Sequence, residues 1–289
     1  MYTIRQASLR SGVSVPLIRA WERRYGVVRP QRTAAGYRLY DEAAIETLVT
    51  MRRLVADGWS PSAAAGAIGD GTAPAINARS SEPASRELSE RFVDAAARYD
   101  GQGLEAALDE MLARGSYEAT IDSVVLPAAV ALGERWERGQ LDVAAEHAGS
   151  AAMMRRLSVA FEAAGIARRA RLVVVGLPPG ARHELGALAF AAALRRRGLS
   201  VVYLGPDVPI GSWVHAVSAA RAAGAVLGVV READIASAAQ VVDAIHAAAP
   251  SVKVALGGQA AAAVSSGREV IVLPTPVVEA AELMERAIG

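Results

Sequence analysis

Arg171-Leu-Val-Val-Val-Gly176-Leu-Pro-Pro-Gly180-Ala-Arg-His183-Glu-Leu-Gly186 decides the fold of the C-terminal half. Its apolar run ending in glycine reads as a strand buried on both faces, because a half-exposed strand would alternate apolar and polar residues. Pro178-Pro179-Gly180 stops strand and helix alike. A helical pattern follows from Leu185 to Arg197 and is closed by Gly198. The same alternation repeats downstream. Strands are expected at 201–205, 225–230, 252–256 and 270–272, and helices at 210–223, 235–248 and from Val277. Continuous apolar runs alternating with helices predict an α/β domain over 166–289, a doubly wound parallel sheet. Such sheets hold ligands at the carboxyl ends of their strands, where His183, Gly228, Gly257 and Gly258 would lie.

Upstream, residues 86–165 show helical periodicity in four segments, roughly 86–99, 102–114, 116–138 and 142–164. Breaks at Asp100-Gly101, Arg114-Gly115 and Gly139 leave short connections, which predicts a four-helix bundle. Trp136 closes the third segment, and Glu146-His147 stand a turn into the fourth. A large ring, a carboxylate and an imidazole would then meet at one end of the bundle, a pocket suited to a large planar cofactor between helices and sheet. The stretch Gly71-Thr-Ala-Pro-Ala-Ile-Asn-Ala-Arg-Ser-Ser-Glu-Pro-Ala-Ser85 has linker composition.

Residues 1–70 precede that linker. A short helix ended by Gly12 is followed by a second from Val15 to Arg24, capped by Ser14, which makes a helix-turn-helix. Arg19 and Arg23 share a face of the second helix beside Arg24, while Ile18 and Trp21 point inward. Gly36-Tyr37-Arg38-Leu39-Tyr40 fits a small hairpin, or wing, offering Tyr37 and Arg38 to a phosphate backbone. A further short helix starts at Trp59-Ser60-Pro61 and ends near Gly69. Residues 1–75 hold ten arginines against six acids, about +4, in a chain whose formal net charge is only +1. Arg19, Trp21-Glu22-Arg23-Arg24-Tyr25-Gly26, Pro30, Arg32 and Gly36–Tyr40 together resemble the winged helix-turn-helix of the MerR family over residues 2–69. The resemblance implies a recognition helix in the major groove of double-stranded DNA and a wing on flanking phosphates.

Composition narrows the rest. The chain has 289 residues, is 52% hydrophobic but only 5% aromatic, and contains no cysteine. That removes disulfides, thiolate metal sites and cysteine nucleophiles, and fits a reducing cytoplasm. Neither a signal peptide nor a membrane span is expected. Paired catalytic carboxylates, a Ser-His-Asp set and a phosphate loop with lysine are not recognisable, so neither an enzyme nor a small-molecule substrate is expected.

His183 with Gly186, Gly228 and Gly257-Gly258 resemble the flavodoxin-like cobalamin-binding domain of cobalamin-dependent methyltransferases and mutases. That resemblance implies His183 as the lower axial ligand of cobalt. Head, bundle and sheet in this order, with Trp136, Glu146 and His147 in the bundle, resemble the CarH-type photoreceptor repressors. That likeness implies adenosylcobalamin as the cofactor, its adenosyl group walled by those three residues. It also implies a homo-oligomer, dimer or tetramer, that assembles on DNA in the dark and disassembles in light. Two positions depart from the pattern: Ala181 stands where the cobalamin domain usually has an acid bonding the histidine, and Glu137 stands where the photoreceptors have a histidine after the tryptophan. Glu137 speaks against a bis-histidine photoproduct. It leaves open a light-independent regulator sensing cobalamin or another tetrapyrrole. A cobalamin carrier subunit of an enzyme is a further alternative, opposed by the DNA-reading head.

Overall fold

A computed structural model describes residues 1–11, 13, 15–32, 38–56, 59–70, 78–165 and 171–289. The chain forms two compact units, Met1–Pro83 and Ala84–Gly289. The expected caps at Gly12 and Ser14, Tyr37 of the wing and residues 71–77 of the linker lie outside the described residues.

In the first unit, helices α1 (Ile4–Ser11), α2 (Val15–Tyr25), α3 (Glu42–Ala56) and α4 (Pro61–Gly69) accompany strands β1 (Tyr2–Thr3), β2 (Gln31–Arg32) and β3 (Arg38–Tyr40). The strands are antiparallel in the order β1-β3-β2, so the wing is a hairpin with an added edge strand. Ile18 and Trp21 of α2 pack with Val28, Tyr40, Leu48 and Met51, as their spacing predicts. Ser60 caps α4 by accepting from Ala63 N at 3.2 Å, with Pro61 in the first turn where its missing N–H costs nothing.

The second unit opens with α5 (Ala78–Ala97) and α6 (Gly101–Ala113). One continuous helical stretch follows: α7 (Tyr117–Thr120), a π-helical turn (Ile121–Val125) and α8 (Leu126–Glu137). Then comes α9 (Val143–Ala163). These are the four expected segments, although α5 starts at Ala78, inside the stretch that reads as linker.

Strands β4 (Leu172–Gly176), β5 (Ser200–Gly205), β6 (Gly224–Gly228), β7 (Lys253–Gly257) and β8 (Ile271–Val272) form one parallel sheet in the order β5-β4-β6-β7-β8. Helices α10 (Leu185–Arg196), α11 (Ile210–Ala219), α12 (Ile235–Ala248) and α13 (Val277–Ile288) connect and close it. Val173, Val174 and Val175 are all buried, as a strand covered on both faces requires. The order reverses direction between β4 and β6, so the ligand crevice of this topology lies where those two strands end.

The bundle and the sheet are not separable. One core joins Phe92, Leu108, Met153 and Phe161 to Leu188, Phe190, Leu194 and Met284. Every residue of α10 from Leu188 to Leu194 is buried, because α10 lies between the sheet and the bundle and has no free face. A second core on the opposite face gathers Trp213, Val217, Val241 and Ile245.

A carboxylate also links the layers. Asp122, in the π turn, accepts from Val277 N at 2.8 Å and Val278 N at 3.1 Å, capping α13. The preceding residue, Pro276, has no side-chain acceptor of its own. Asp122→Ala is therefore expected to lower stability by about 1–2 kcal/mol, with Asp122→Asn recovering part of it. Urea unfolding followed by circular dichroism measures this, and an unchanged midpoint for the alanine variant would deny the cap its role.

Candidate functional site

β4 delivers the chain to the crevice, and Pro178-Pro179-Gly180 turns it, with Gly180 at φ +83°. His183 follows, exposed, and its ring makes no hydrogen bond among the described residues. Beside it Gly186 lies in the first turn of α10, where an added Cβ would meet nothing within 4 Å. Gly228 ends β6 opposite Gly257, which ends β7. A Cβ on Gly228 would make only ordinary contact with Leu177 and Ala187, and one on Gly257 only with Leu273. Packing of the protein therefore does not demand glycine at these three positions; open space lies over Gly186, while a methyl at Gly228 or Gly257 would sit in ordinary contact with its neighbours. Gly258 is different. At φ +109° its Cβ would stand 2.4 Å from Val229 O, so the turn itself requires glycine there.

The bundle carries the other expected site residues. Asp142 caps α9 by accepting from Ala145 N at 2.8 Å, and it also accepts from Tyr99 Oη at 2.6 Å. The tyrosine hydroxyl, then the backbone N–H, hold the Asp142 carboxyl below its ordinary range. A turn further, His147 Nδ1 donates to Glu146 Oε2 at 2.6 Å, and Ser150 donates to the other oxygen of Glu146. The carboxylate is thus fixed while the imidazole projects outward, its side chain 73% exposed. Trp136 closes α8 with 43% of its surface exposed. Gly149 admits Leu132 so closely that an added Cβ would be 2.7 Å from Leu132 Cδ2. One turn beyond that contact, the antiparallel helices bring Trp136 level with Ala145 and Glu146.

The direction of α9 sets these residues against the sheet. α9 packs along α10, and Arg195 near the end of α10 stacks 3.4 Å from the Phe161 ring near the end of α9. Overlap along their lengths then requires the two helices to run in the same direction. Counting back equal numbers of residues at ~1.5 Å each places the first turns of α9 at the level of the His183 loop. Trp136, Glu146 and His147 therefore occupy the same end of the unit as His183, Gly186, Gly228 and Gly257.

In the first unit Arg19, Arg23 and Arg24 are exposed on α2 and form no hydrogen bond or ion pair among the described residues. Arg38 is held differently from the expectation that it faces phosphate freely. Its Nε donates to both oxygens of Glu22 at 3.1 Å, and Tyr40 Oη donates to Glu22 Oε2 at 3.4 Å. Burial, then the Glu22 charge, pushes the Tyr40 hydroxyl up to about 12. Glu22 thereby joins α2 to the wing, a role absent from the sequence expectations even though Glu22 stands within the Trp21–Gly26 motif.

Two family matches cover parts of this architecture. Residues 2–69 match the MerR HTH family regulatory protein and residues 88–160 match the B12 binding domain, the latter on the helices rather than the sheet. The HTH-type transcriptional repressor CarH of Myxococcus xanthus is 37% identical over 227 residues, 76% of this chain and 76% of that protein. Its CarA repressor is 32% identical over 250 residues, 86% of this chain and 83% of that protein. The chain belongs to the B12-binding MerR-type transcriptional regulators. Among solved structures, the monomethylamine corrinoid protein of Methanosarcina barkeri superposes with a TM-score of 0.57 at 19% identity, covering 70% of this chain and 99% of that one, a likeness of fold.

The residues of this B12-binding MerR-type regulator fit a corrinoid. No group of three His, Cys, Asp or Glu comes together among the described residues. A macrocycle that brings its own equatorial nitrogens needs only one exposed, unpartnered imidazole, and His183 is one. Open space lies over Gly186, and Gly228 and Gly257 extend no side chain from the ends of β6 and β7. No helix of the described residues is long and apolar enough to cross a membrane.

Proposed function

We propose that the chain is a cytoplasmic, non-enzymatic repressor whose grip on double-stranded DNA is gated by adenosylcobalamin. His183 would be the lower cobalt ligand. Gly186, Gly228 and Gly257 would line the cradle with Gly258 shaping its turn, and Trp136, Glu146 and His147 would wall the upper face. Bound there, adenosylcobalamin supplies a light-sensitive cobalt–carbon bond. Arg19, Arg23 and Arg24 of α2 meet the DNA, and the wing meets the flanking backbone with Tyr37 and with Arg38, the latter steadied through its Nε by Glu22. Joining heads in a homo-oligomer, dimer or tetramer, raises their effective concentration at a paired operator. The observation that most supports this reading is that Trp136 and the Glu146–His147 pair lie at the same end of the unit as His183.

A second reading, a cobalamin sensor indifferent to light, is favoured by one observation: Glu137, after Trp136, is an exposed carboxylate with no hydrogen bond among the described residues, in place of an imidazole. One experiment separates the two. Protein is loaded with adenosylcobalamin in darkness and then illuminated, while absorbance, mass in solution and binding to a duplex selected from a random pool are followed. Dark assembly lost on illumination supports the light sensor, assembly unaffected by light supports the second reading, and a colourless protein defeats both.

Trp136→Ala is expected to reduce the preference for adenosylcobalamin over hydroxocobalamin by about tenfold, the worth of one aromatic contact with a planar group. Competitive absorbance titration measures it, and an unchanged preference would remove Trp136 from the upper wall.

A further inference from the structure

No side chain among the described residues hydrogen-bonds the ring of His183. Ala181, two positions earlier, has no polar side-chain atom and is only 1% exposed. Glu184, the next residue, accepts from Tyr203 Oη at 2.8 Å and is thereby drawn toward β5. The loop is held instead through its backbone, by the strap 205–208 that leaves β5. Leu177 N donates to Gly205 O at 3.0 Å, and Val208 N donates to Leu177 O at 3.2 Å. Asp207 then binds the loop twice. Its N–H donates to Ala181 O at 2.9 Å, and its Oδ1 accepts from Gly180 N at 2.7 Å.

Asp207 does this from a strained conformation, φ +53°, in the left-handed region that L residues other than Asn and Asp seldom adopt. Glycine would adopt it freely but would lack the acceptor for Gly180 N. The combination of an unusual φ and two bonds to the two residues just ahead of Arg182-His183 marks Asp207 as the point at which the loop is fixed.

We propose that Asp207 is the positioning residue for His183, clamping the loop so that the imidazole meets the cobalt of a corrinoid without a partner on its far nitrogen. This rests on His183 being the lower cobalt ligand. Asp207→Asn keeps an oxygen for Gly180 N and tolerates the same φ; Asp207→Gly keeps the backbone and deletes the acceptor.

The test uses the full chain with hydroxocobalamin as probe and two readouts. Absorbance titration gives the affinity. Electron paramagnetic resonance of the reduced Co(II) form, in protein labelled with 15N-histidine, tells a histidine nitrogen from the base carried by the cofactor. Asp207→Asn is expected to match the wild type. Asp207→Gly is expected to bind about tenfold more weakly, the usual scale for loss of an outer-shell partner, with the labelled nitrogen pattern diminished. That pattern is read only on bound cobalamin, so partial unfolding does not imitate the effect. Wild-type affinity and pattern in Asp207→Gly, with the pattern lost in His183→Ala, would overturn the role of Asp207 alone. A labelled pattern that survives in His183→Ala would sink the ligand assignment and this proposal with it.

Discussion

Replacing His183 by alanine is expected to lower the affinity for hydroxocobalamin by about 100-fold or more, since losing merely an outer partner of a metal ligand already costs 10–100-fold. The substitution is clean. His183 is exposed and its ring bonds to nothing among the described residues, so alanine removes no hydrogen bond or ion pair. Circular dichroism should match the wild type while absorbance titration records the lost affinity. Binding within a few fold of the wild type would show that another group takes the cobalt, and the lower half of the site would have to be sought elsewhere along the strand ends.

The second large effect concerns folding. In Gly258→Ala the new methyl would stand 2.4 Å from Val229 O, a backbone atom that also accepts from Ala260 N at 3.1 Å and so is not free to retreat. Strain at φ +109° adds to the overlap. Together they are expected to cost about 4 kcal/mol, or roughly 10 °C in the melting temperature of a unit this size. Gly186→Ala is the control: with nothing within 4 Å of the added carbon, its melting temperature should stay within a degree or two while its cobalamin affinity falls. Equal melting temperatures for Gly258→Ala and the wild type would mean that the β7 turn relaxes in a way its hydrogen bonds do not indicate.

The sheet was the most legible part of the chain because its signal is redundant. Each strand is a run of apolar residues with no polar alternation, and each is closed by glycine or a turn. Boundaries moved where backbone conformation intervened: α11 stops at Ala219 rather than at 223, since Arg221 turns to φ +48° and Ala222 N reaches back to Val217 O. α3 is missing from the sequence expectations although its signal is present, with Asp41 accepting from Ala44 N and Ile45, Leu48, Met51 and Leu54 at helical spacing. The fusion of bundle and sheet was not legible, because periodicity shows that α10 is apolar all round but not what lies on its outer side. The site divided in the same way. Types and approximate places of His183, Trp136, Glu146 and His147 follow from the chain, whereas the hold of Glu22 on Arg38 and of Asp207 on the His183 loop depends on distant segments meeting. Gly258 was expected beside the ligand, and the structure gives it a separate reason to be glycine.

The burial of α10 on every side has a consequence for how heat acts on residues 84–289. Neither neighbouring layer can come away without baring the run from Leu188 to Leu194, so calorimetry should record the helices and the sheet as one cooperative transition. A ligand bound at one end of this unit would then delay that whole transition, protecting amide hydrogens throughout residues 84–289 and not only in the residues it touches.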